Sequence, residues 1–245
     1  MNIRLTLSCC LLLWISNEVQ AATCDKQVLG TSRTITLKRE AALYGTKQHK
    51  ALPLNKNEVV LTFDDGPSPE NTPLVLKALA DQCSKASFFM IGQQIERHPE
   101  LAKRVVAAGH TLGLHSYSHQ RLAKLSVDEQ LADLKKAQKI YQDTFGTSAP
   151  AYRFPFLEET PPLLDTLKAK KMTVASIDLT IDDWLPDDTT EILLKRLSQN
   201  LDKSGGGIIL MHDANAITAK AVPALLALLK VKGYKVVHLQ WEKAS

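Results

Sequence analysis

The sequence has no hydrophobic run long enough to cross a membrane. Its N-terminal apolar run covers residues 5–15 of the 245-residue chain and ends before Asn17 and Glu18. A spanning helix needs about 20 apolar residues, and no later run is long and apolar enough. We therefore expect a protein that is not integral to a membrane.

The sequence also lacks a strong excess of charge. Its 30 Lys and Arg residues against 26 Asp and Glu residues give a formal net charge of +4, and the basic residues are scattered along the chain. Nucleic-acid-binding surfaces are typically concentrated basic patches. The sequence therefore predicts no nucleic-acid partner.

The N-terminal segment has the layout of a secretory signal peptide. Arg4 precedes the apolar run, and small residues follow it at Ala21 and Ala22. We expect cleavage after Ala21, which would remove residues 1–21. The mature protein is then expected to be exported to the periplasm or the extracellular space, as a monomer.

Cysteine is scarce, and of four cysteines only Cys24 and Cys83 lie beyond the predicted cleavage point. An even number of cysteines in an exported protein suggests a disulfide. We expect these two residues to pair and to tie the N-terminal segment to the core. The alternative is a free, buried Cys83.

From residue 59 onward, short apolar runs alternate with segments of helical periodicity. The predicted strands are 59–63, 86–91, 111–114, 151–154, 172–177, 207–211 and 235–239, and the predicted helices are 70–81, 98–108, 127–145, 161–170, 189–202 and 217–231. This alternation predicts an α/β fold with a mainly parallel sheet. Seven strands favour a (β/α) barrel over an open sheet, although the pattern alone leaves closure open.

Residues 22–57 follow a different pattern, in which polar and apolar residues alternate over 34–37. We interpret this segment as a short N-terminal β-extension that packs on one end of the barrel. It is not a second domain, and the main domain is then 58–245.

Polar residues recur where the predicted strands end. Ligands of parallel α/β folds bind at the carboxyl ends of the strands, so these residues are the candidates for chemistry. They are Asp64 and Asp65, His115 and His119, Arg153, Asp178, Asp182, Asp183, Trp184, His212 and Asp213.

The histidine pair indicates a metal site. His115 and His119 are four residues apart, so one helical turn or a tight loop can direct both at one ion. A carboxylate from Asp64 or Asp65 would complete a set of two His and one carboxylate, which leaves open positions for water and substrate. On an extended backbone the two aspartates would point to opposite sides, giving one ligand and one general base. Without the histidines, a solvated turn or a helix cap at Asp64–Asp65 would be the simpler interpretation.

Five motifs, TFDDGP, HSYSH, RFPF, DDW and LMHD, closely resemble those of the NodB-type polysaccharide deacetylases, carbohydrate esterase family four. The resemblance covers roughly residues 57–240. It implies a distorted (β/α)7-like barrel and the metal-dependent removal of acetyl groups from an acetylated polysaccharide or oligosaccharide. The expected metal is one divalent ion, zinc, with cobalt, nickel or manganese as alternatives.

The resemblance also implies a role for each motif residue. It makes Asp64 the catalytic base, His212 the catalytic acid, Arg153 the partner of the base and Asp183 the partner of the acid. It makes Asp65, His115 and His119 the metal ligands. It places Trp184 and Leu210 around the acetyl methyl group, and the backbone N–H of Phe156 near the oxyanion. Thr180 departs from the family pattern, which often has Asp at that position.

The sequence leaves three alternatives open. The first is an esterase acting on O-acetyl xylan or another O-acetyl glycan. The second is a carbohydrate-binding protein without catalysis on the same scaffold, and the third is an iron oxygenase with two His and one carboxylate.

Overall fold

The structure is a computed structural model, and it describes residues 27–186 and 188–242. The predicted signal peptide, residues 1–21, and Cys24 lie outside the described residues. Cys83 is disulfide-bonded, which excludes the free thiol, whereas the pairing with Cys24 stays a prediction. Within the described part of the chain, no helix combines the length and the apolar character needed to span a bilayer.

In the described residues, ten strands form one sheet in which every pairing is parallel. They are β1 (Thr31–Leu37), β2 (Leu43–Tyr44), β3 (Glu58–Asp64), β4 (Ser87–Met90), β5 (Thr111–Leu114), β6 (Ala151–Tyr152), β7 (Thr173–Ala175), β8 (Leu179–Thr180), β9 (Gly207–His212) and β10 (Lys235–Trp241). The main path runs β1-β10-β3-β4-β5-β6-β7-β2, with β9 also paired to β3 and β8 paired to β9.

Seven α-helices accompany the strands in the part of the chain that the structure describes. They are α1 (Thr72–Asp81), α2 (Gly92–Arg97), α3 (Pro99–Ala107), α4 (Val127–Phe145), α5 (Pro161–Ala169), α6 (Thr190–Ser204) and α7 (Ala216–Val231), with 3-10 turns at Leu122–Lys124 and Pro155–Leu157. Side chains cap the N-termini of two of these helices. Ser126 and Glu129 form a reciprocal capping box at α4, and Thr189 caps α6.

The predicted α/β class with a parallel sheet is confirmed. Strands β8, β9, β3, β4, β5, β6 and β7 follow one another as in a seven-stranded barrel. Among the described strands, however, no backbone ladder joins β7 to β8. We call this opening the seam. The barrel is therefore distorted, and hydrogen bonds between strands do not close it.

The N-terminal extension contributes two strands to the sheet, and Ile35 and Leu37 of β1 share an apolar cluster with Val60 and Ile208 near the starts of β3 and β9. Strand β1 pairs with β10, and β2 pairs with β7 beside the seam. Residues 45–50, which we call the seam loop, leave β2 and run across the opening, where the N–H of Lys47 donates to the carbonyl of Ile177. Alternation over 34–37 reveals a strand, but it carries no information about its partner.

Alternation along β3 separates the helix-facing core from the barrel interior. Leu61 and Phe63 belong to the main apolar core, together with residues of the surrounding helices. Thr62 and Asp64 point the other way, and both accept hydrogen bonds from the buried guanidinium of Arg153. Since parallel strands share one direction, their polar final residues collect at one end of the barrel.

Candidate active site

Two adjacent strand ends bring a carboxylate and an imidazole together. Asp64 is the last residue of β3, and it lies beside His212, the last residue of β9, in the parallel register. Asp65 follows with φ of 75°, a left-handed conformation. The expectation that Asp64 and Asp65 lie on one extended backbone, with side chains on opposite sides, is therefore wrong. The aspartates differ because they have different partners.

Asp65, His115 and His119 form the candidate metal site. The Oδ1 atom of Asp65 lies 3.4 Å from Nε2 of His115 and 3.2 Å from Nε2 of His119. The three ligand atoms all lie within 4.8 Å of one another. Oδ1 of Asp65 is also buried without a hydrogen-bond partner. An orphaned carboxylate oxygen facing two imidazole nitrogens suits a divalent cation, so these residues fit the metal that the motifs imply.

Backbone contacts fix the orientation of His115. Its Nδ1 lies 2.9 Å from the carbonyl oxygen of Arg153, so Nδ1 carries the proton and Nε2 presents a lone pair. Burial lowers the pKa of His115 to about 3, which keeps the imidazole neutral, as a metal ligand must be. The ring of His119 packs 4.8 Å from the ring of Phe156.

The loop that carries the histidines is held by Asp133 of α4. Its carboxylate accepts hydrogen bonds from the N–H of Tyr117 at 2.7 Å and from the N–H and hydroxyl of Ser118 at 3.0 and 2.6 Å. Asp133 is not among the residues predicted from the sequence. It lies in a long amphipathic helix, where an acidic residue normally faces solvent, and no local pattern distinguishes it.

Arg153 holds Asp64. Its Nη1 donates to Oδ1 of Asp64 at 2.7 Å, and both side chains are buried. Further bonds to the carbonyls of Ala175 and Ser176 and a stacking contact over Phe89 fix the guanidinium. Burial raises the pKa of Asp64, and the adjacent Arg153 charge opposes that rise. The predicted pairing of these two residues is present.

Asp183 holds His212. Its Oδ1 lies 2.7 Å from Nδ1 of His212, and its Oδ2 accepts from the His212 N–H and from the hydroxyl of Thr218. Burial alone would lower the pKa of His212, but the Asp183 carboxylate, with smaller contributions from the charges of Asp64 and Asp65, raises it to about 9. His212 is therefore cationic at neutral pH, with Nε2 free to donate a proton.

The candidate base Asp64, the candidate acid His212 and the three candidate metal ligands line one cleft of about 660 Å³. Trp184 lies on its wall with 53% of its surface exposed, and its ring meets the His212 ring edge-on at 5.7 Å between centroids. Leu210 is almost fully buried, whereas Phe156 is half-exposed, and both also line the cleft. The structure thus brings every predicted site residue to this cleft or to a residue lining it, while their individual roles stay predictions.

Strained backbone is concentrated around the cleft. Nine non-glycine residues have positive φ in the described part of the chain. Six of them lie in the loops at the carboxyl ends of the barrel strands: Asp65, Ser116, His119, Phe156, Leu157 and Asp182. Such conformations are costly and collect where geometry serves function.

Two other strand-end aspartates have structural partners. Asp178 accepts from the N–H and hydroxyl of Thr46 and from the N–H of Ile208, so it joins the seam loop to β9. Asp213 is fully buried and accepts from Thr72. A Cβ at Gly66 would come within 2.4 Å of the Asp213 carboxylate, so only glycine fits in the turn after Asp65.

Comparison with known proteins supports these observations. A family model described as polysaccharide deacetylase matches residues 51–175. A peptidoglycan-N-acetylglucosamine deacetylase of Bacillus cereus is 31% identical over 191 residues, which cover 76% of this chain and 68% of that protein. The peptidoglycan-N-acetylglucosamine deacetylase PgdA of Listeria monocytogenes is 34% identical over 183 residues, 74% of this chain and 38% of the relative.

Among solved structures, a peptidoglycan deacetylase of Bdellovibrio bacteriovorus is 32% identical and superposes with a TM-score of 0.78, over 89% of this chain and 60% of that one. This chain therefore spans about two fifths of the Listeria relative and three fifths of the Bdellovibrio structure. The motifs, the fold and the comparisons agree, and the chain belongs to the polysaccharide deacetylase family.

Proposed function

We propose that this protein hydrolyses N-acetyl groups of peptidoglycan, using one divalent metal ion. The observation that carries the proposal is the pairing of Asp64 with Arg153 and of His212 with Asp183 at one cleft that also contains Asp65, His115 and His119. The relatives that act on peptidoglycan support the choice of glycan.

The metal would be held by Asp65, His115 and His119. Zinc is the first candidate because two imidazoles and one carboxylate with open positions are typical of hydrolytic zinc sites. When bound, such an ion polarises the acetyl carbonyl and makes a coordinated water more acidic. The neutral His115 and the unpartnered Oδ1 of Asp65 are ready to bind it without losing other contacts.

Two side chains, those of Asp64 and His212, would then carry out the two proton transfers. Asp64, oriented by Arg153, takes a proton from the attacking water. His212, kept cationic by Asp183, donates its Nε2 proton to the departing amine. The backbone N–H of Phe156 would donate a hydrogen bond to the oxyanion, and Trp184 and Leu210 would enclose the acetyl methyl group.

The proposed function also includes a location outside the cytoplasm. Residues 1–21 would direct export, and an exported enzyme meets envelope glycans in the periplasm or outside the cell. The exported protein would act as a monomer.

The test is acetate release from acetylated peptidoglycan by zinc-loaded protein, before and after chelation. We expect release to stop on chelation and to return with zinc. Asp65→Asn should lose metal affinity, whereas Asp64→Asn should keep the metal and lose turnover by about a hundredfold or more. Metal content measured by mass spectrometry separates the two variants.

Three outcomes would contradict the proposal. Release that survives complete metal removal would exclude the metal mechanism. Release only from O-acetylated glycans would favour the esterase alternative. Glycan binding without acetate release from any substrate would favour a binding protein.

A further inference from the structure

The seam loop forms a wall of the active-site cleft that the deacetylase motifs do not supply. Residues 45–50 precede the motifs, yet Lys47 lines the same cleft as Asp64, Asp65 and His212. The loop is closed at its base, where the N–H of Gly45 donates to the carbonyl of Lys50 at 2.9 Å.

Several contacts fix the loop against the catalytic end of the barrel. The N–H and hydroxyl of Thr46 both donate to Oδ1 of Asp178 at 2.6 Å. Gln48 accepts from the hydroxyl of Ser176 and donates to the carbonyl of Leu157. His49 lies 2.6 Å from Glu159. The backbone of Lys47 is thus held from both sides while its side chain stays exposed.

The charges around Lys47 leave its ammonium available. Arg121, another cation lining the cleft, is paired with Glu158. Asp178 is occupied by Thr46 and Ile208. Asp182 also lines the cleft, but no ion pair connects it to Lys47 in the described residues.

We propose that Lys47 is a specificity-determining residue, which pairs with a carboxylate on a sugar next to the acetamido group that is hydrolysed. The inference rests on the proposed function and specifies its substrate: acetylated glycans that carry carboxylates are preferred over neutral ones. Muramic-type sugars that carry no peptide have such a carboxylate on an ether-linked side chain, and chitin-type oligomers have none.

The experiment compares two saccharides of equal length with zinc-loaded protein. One is the peptide-free tetrasaccharide of alternating N-acetylglucosamine and N-acetylmuramic acid, and the other is neutral N-acetylchitotetraose. The variants are Lys47→Met and Lys47→Glu. The matched control is Lys56→Met, an exposed lysine of the same extension that does not line the cleft.

We expect Lys47→Met to raise KM for the anionic saccharide about fivefold, as for one solvent-exposed ion pair, with kcat and the KM for the neutral saccharide within about twofold. Lys47→Glu should raise the anionic KM further, and Lys56→Met should change neither. Added salt should raise the anionic KM of the wild type but not that of Lys47→Met.

Equal effects of Lys47→Met on both saccharides, or no effect on either, would overturn the inference. If wild-type protein releases acetate from neither saccharide nor from peptidoglycan, the proposed function fails separately. Calorimetric binding of the same two saccharides then decides the role of Lys47. A preference for the anionic one that Lys47→Met abolishes supports the inference, and equal affinities overturn it.

Discussion

His212 and Asp183 are the residues whose chemistry depends most directly on protonation. Burial of the imidazole favours its neutral form, yet Asp183 holds the pKa at about 9. A general acid must carry its proton when the substrate binds. Activity should therefore fall on the alkaline side as His212 deprotonates.

Asp183→Asn should move that alkaline limb toward lower pH. Without the carboxylate charge, burial, which favours the neutral imidazole, is opposed only by the smaller effects of Asp64 and Asp65, so the limb should shift by about one to three pH units. The measurement is kcat/KM against pH. Thr218→Val is the matched control, because it removes a contact to Asp183 but keeps the charge. An unchanged limb in Asp183→Asn would assign the acid to another residue.

The candidate site was predictable residue by residue, but its geometry was not. Asp64, Asp65 and the two histidines stand out because polar residues follow apolar strands. The left-handed φ of Asp65 could not be predicted from the residue type, because aspartate adopts this conformation only occasionally and its surroundings decide where. The separate partners of the two aspartates come from Arg153 and His119, which are distant in sequence.

At the scale of elements, helix α4 supports the metal site through the loop that carries His119. Asp133 binds two consecutive N–H groups and one hydroxyl of that loop. The loop has left-handed residues at Ser116 and His119, so its shape depends on such external contacts.

Asp133→Ala should weaken zinc binding by about tenfold to a hundredfold, because residues that orient metal ligands have effects of that size. Competition with a chromophoric chelator measures the affinity, and circular dichroism checks the fold. Asp143→Ala is the control, since Asp143 lies on the same helix and pairs with exposed Lys139. Zinc affinity equal to that of the control would remove the positioning role of Asp133.

The long helices are the elements most readily found from the sequence. Helices α4, α6 and α7 have several turns of amphipathic pattern, and α4 and α6 also have side-chain caps. Strand β8 has two residues and α2 has six, so neither contains enough periodicity to be recognised. The strand predicted over 151–154 ends at Tyr152, because Arg153 turns into the barrel and Pro155 begins a 3-10 turn.

At the scale of the whole molecule, the extension is tied to the barrel through Arg33 and Glu58. Arg33 donates from Nε and Nη2 to the two carboxylate oxygens of Glu58 at 2.8 and 2.6 Å. Asn55 adds two more donors. The hydrogen bonds from Arg33 lower the pKa of Glu58 to about 2. This pairing joins β1 to the start of β3, and no local pattern predicts it.

Glu58→Gln should lower the free energy of unfolding by about 1–2 kcal/mol at pH 7, since it weakens charge-assisted hydrogen bonds. The pKa of Glu58 is depressed from 4.5 to about 2, so its contribution is present above pH 4.5 and declines as pH falls toward 2. Urea unfolding at pH 7, 5, 4 and 3 measures it. The difference from wild type should shrink below pH 5, and a constant difference would contradict this linkage. Glu100→Gln, in an exposed pair with Lys103, is the control.

The seam affects which parts of the sequence can be replaced without loss of the fold. Residues 46–49 take part in no strand pairing, and Gly45 and Lys50 close the base of their loop. These four residues could therefore be replaced together without disturbing the sheet; we call them the cassette. A cassette of equal length could be grafted there, leaving the metal ligands, the base and the acid untouched. Substrate preference would then depend on the seam loop, and catalysis on the residues at the strand ends. The two properties could therefore evolve independently.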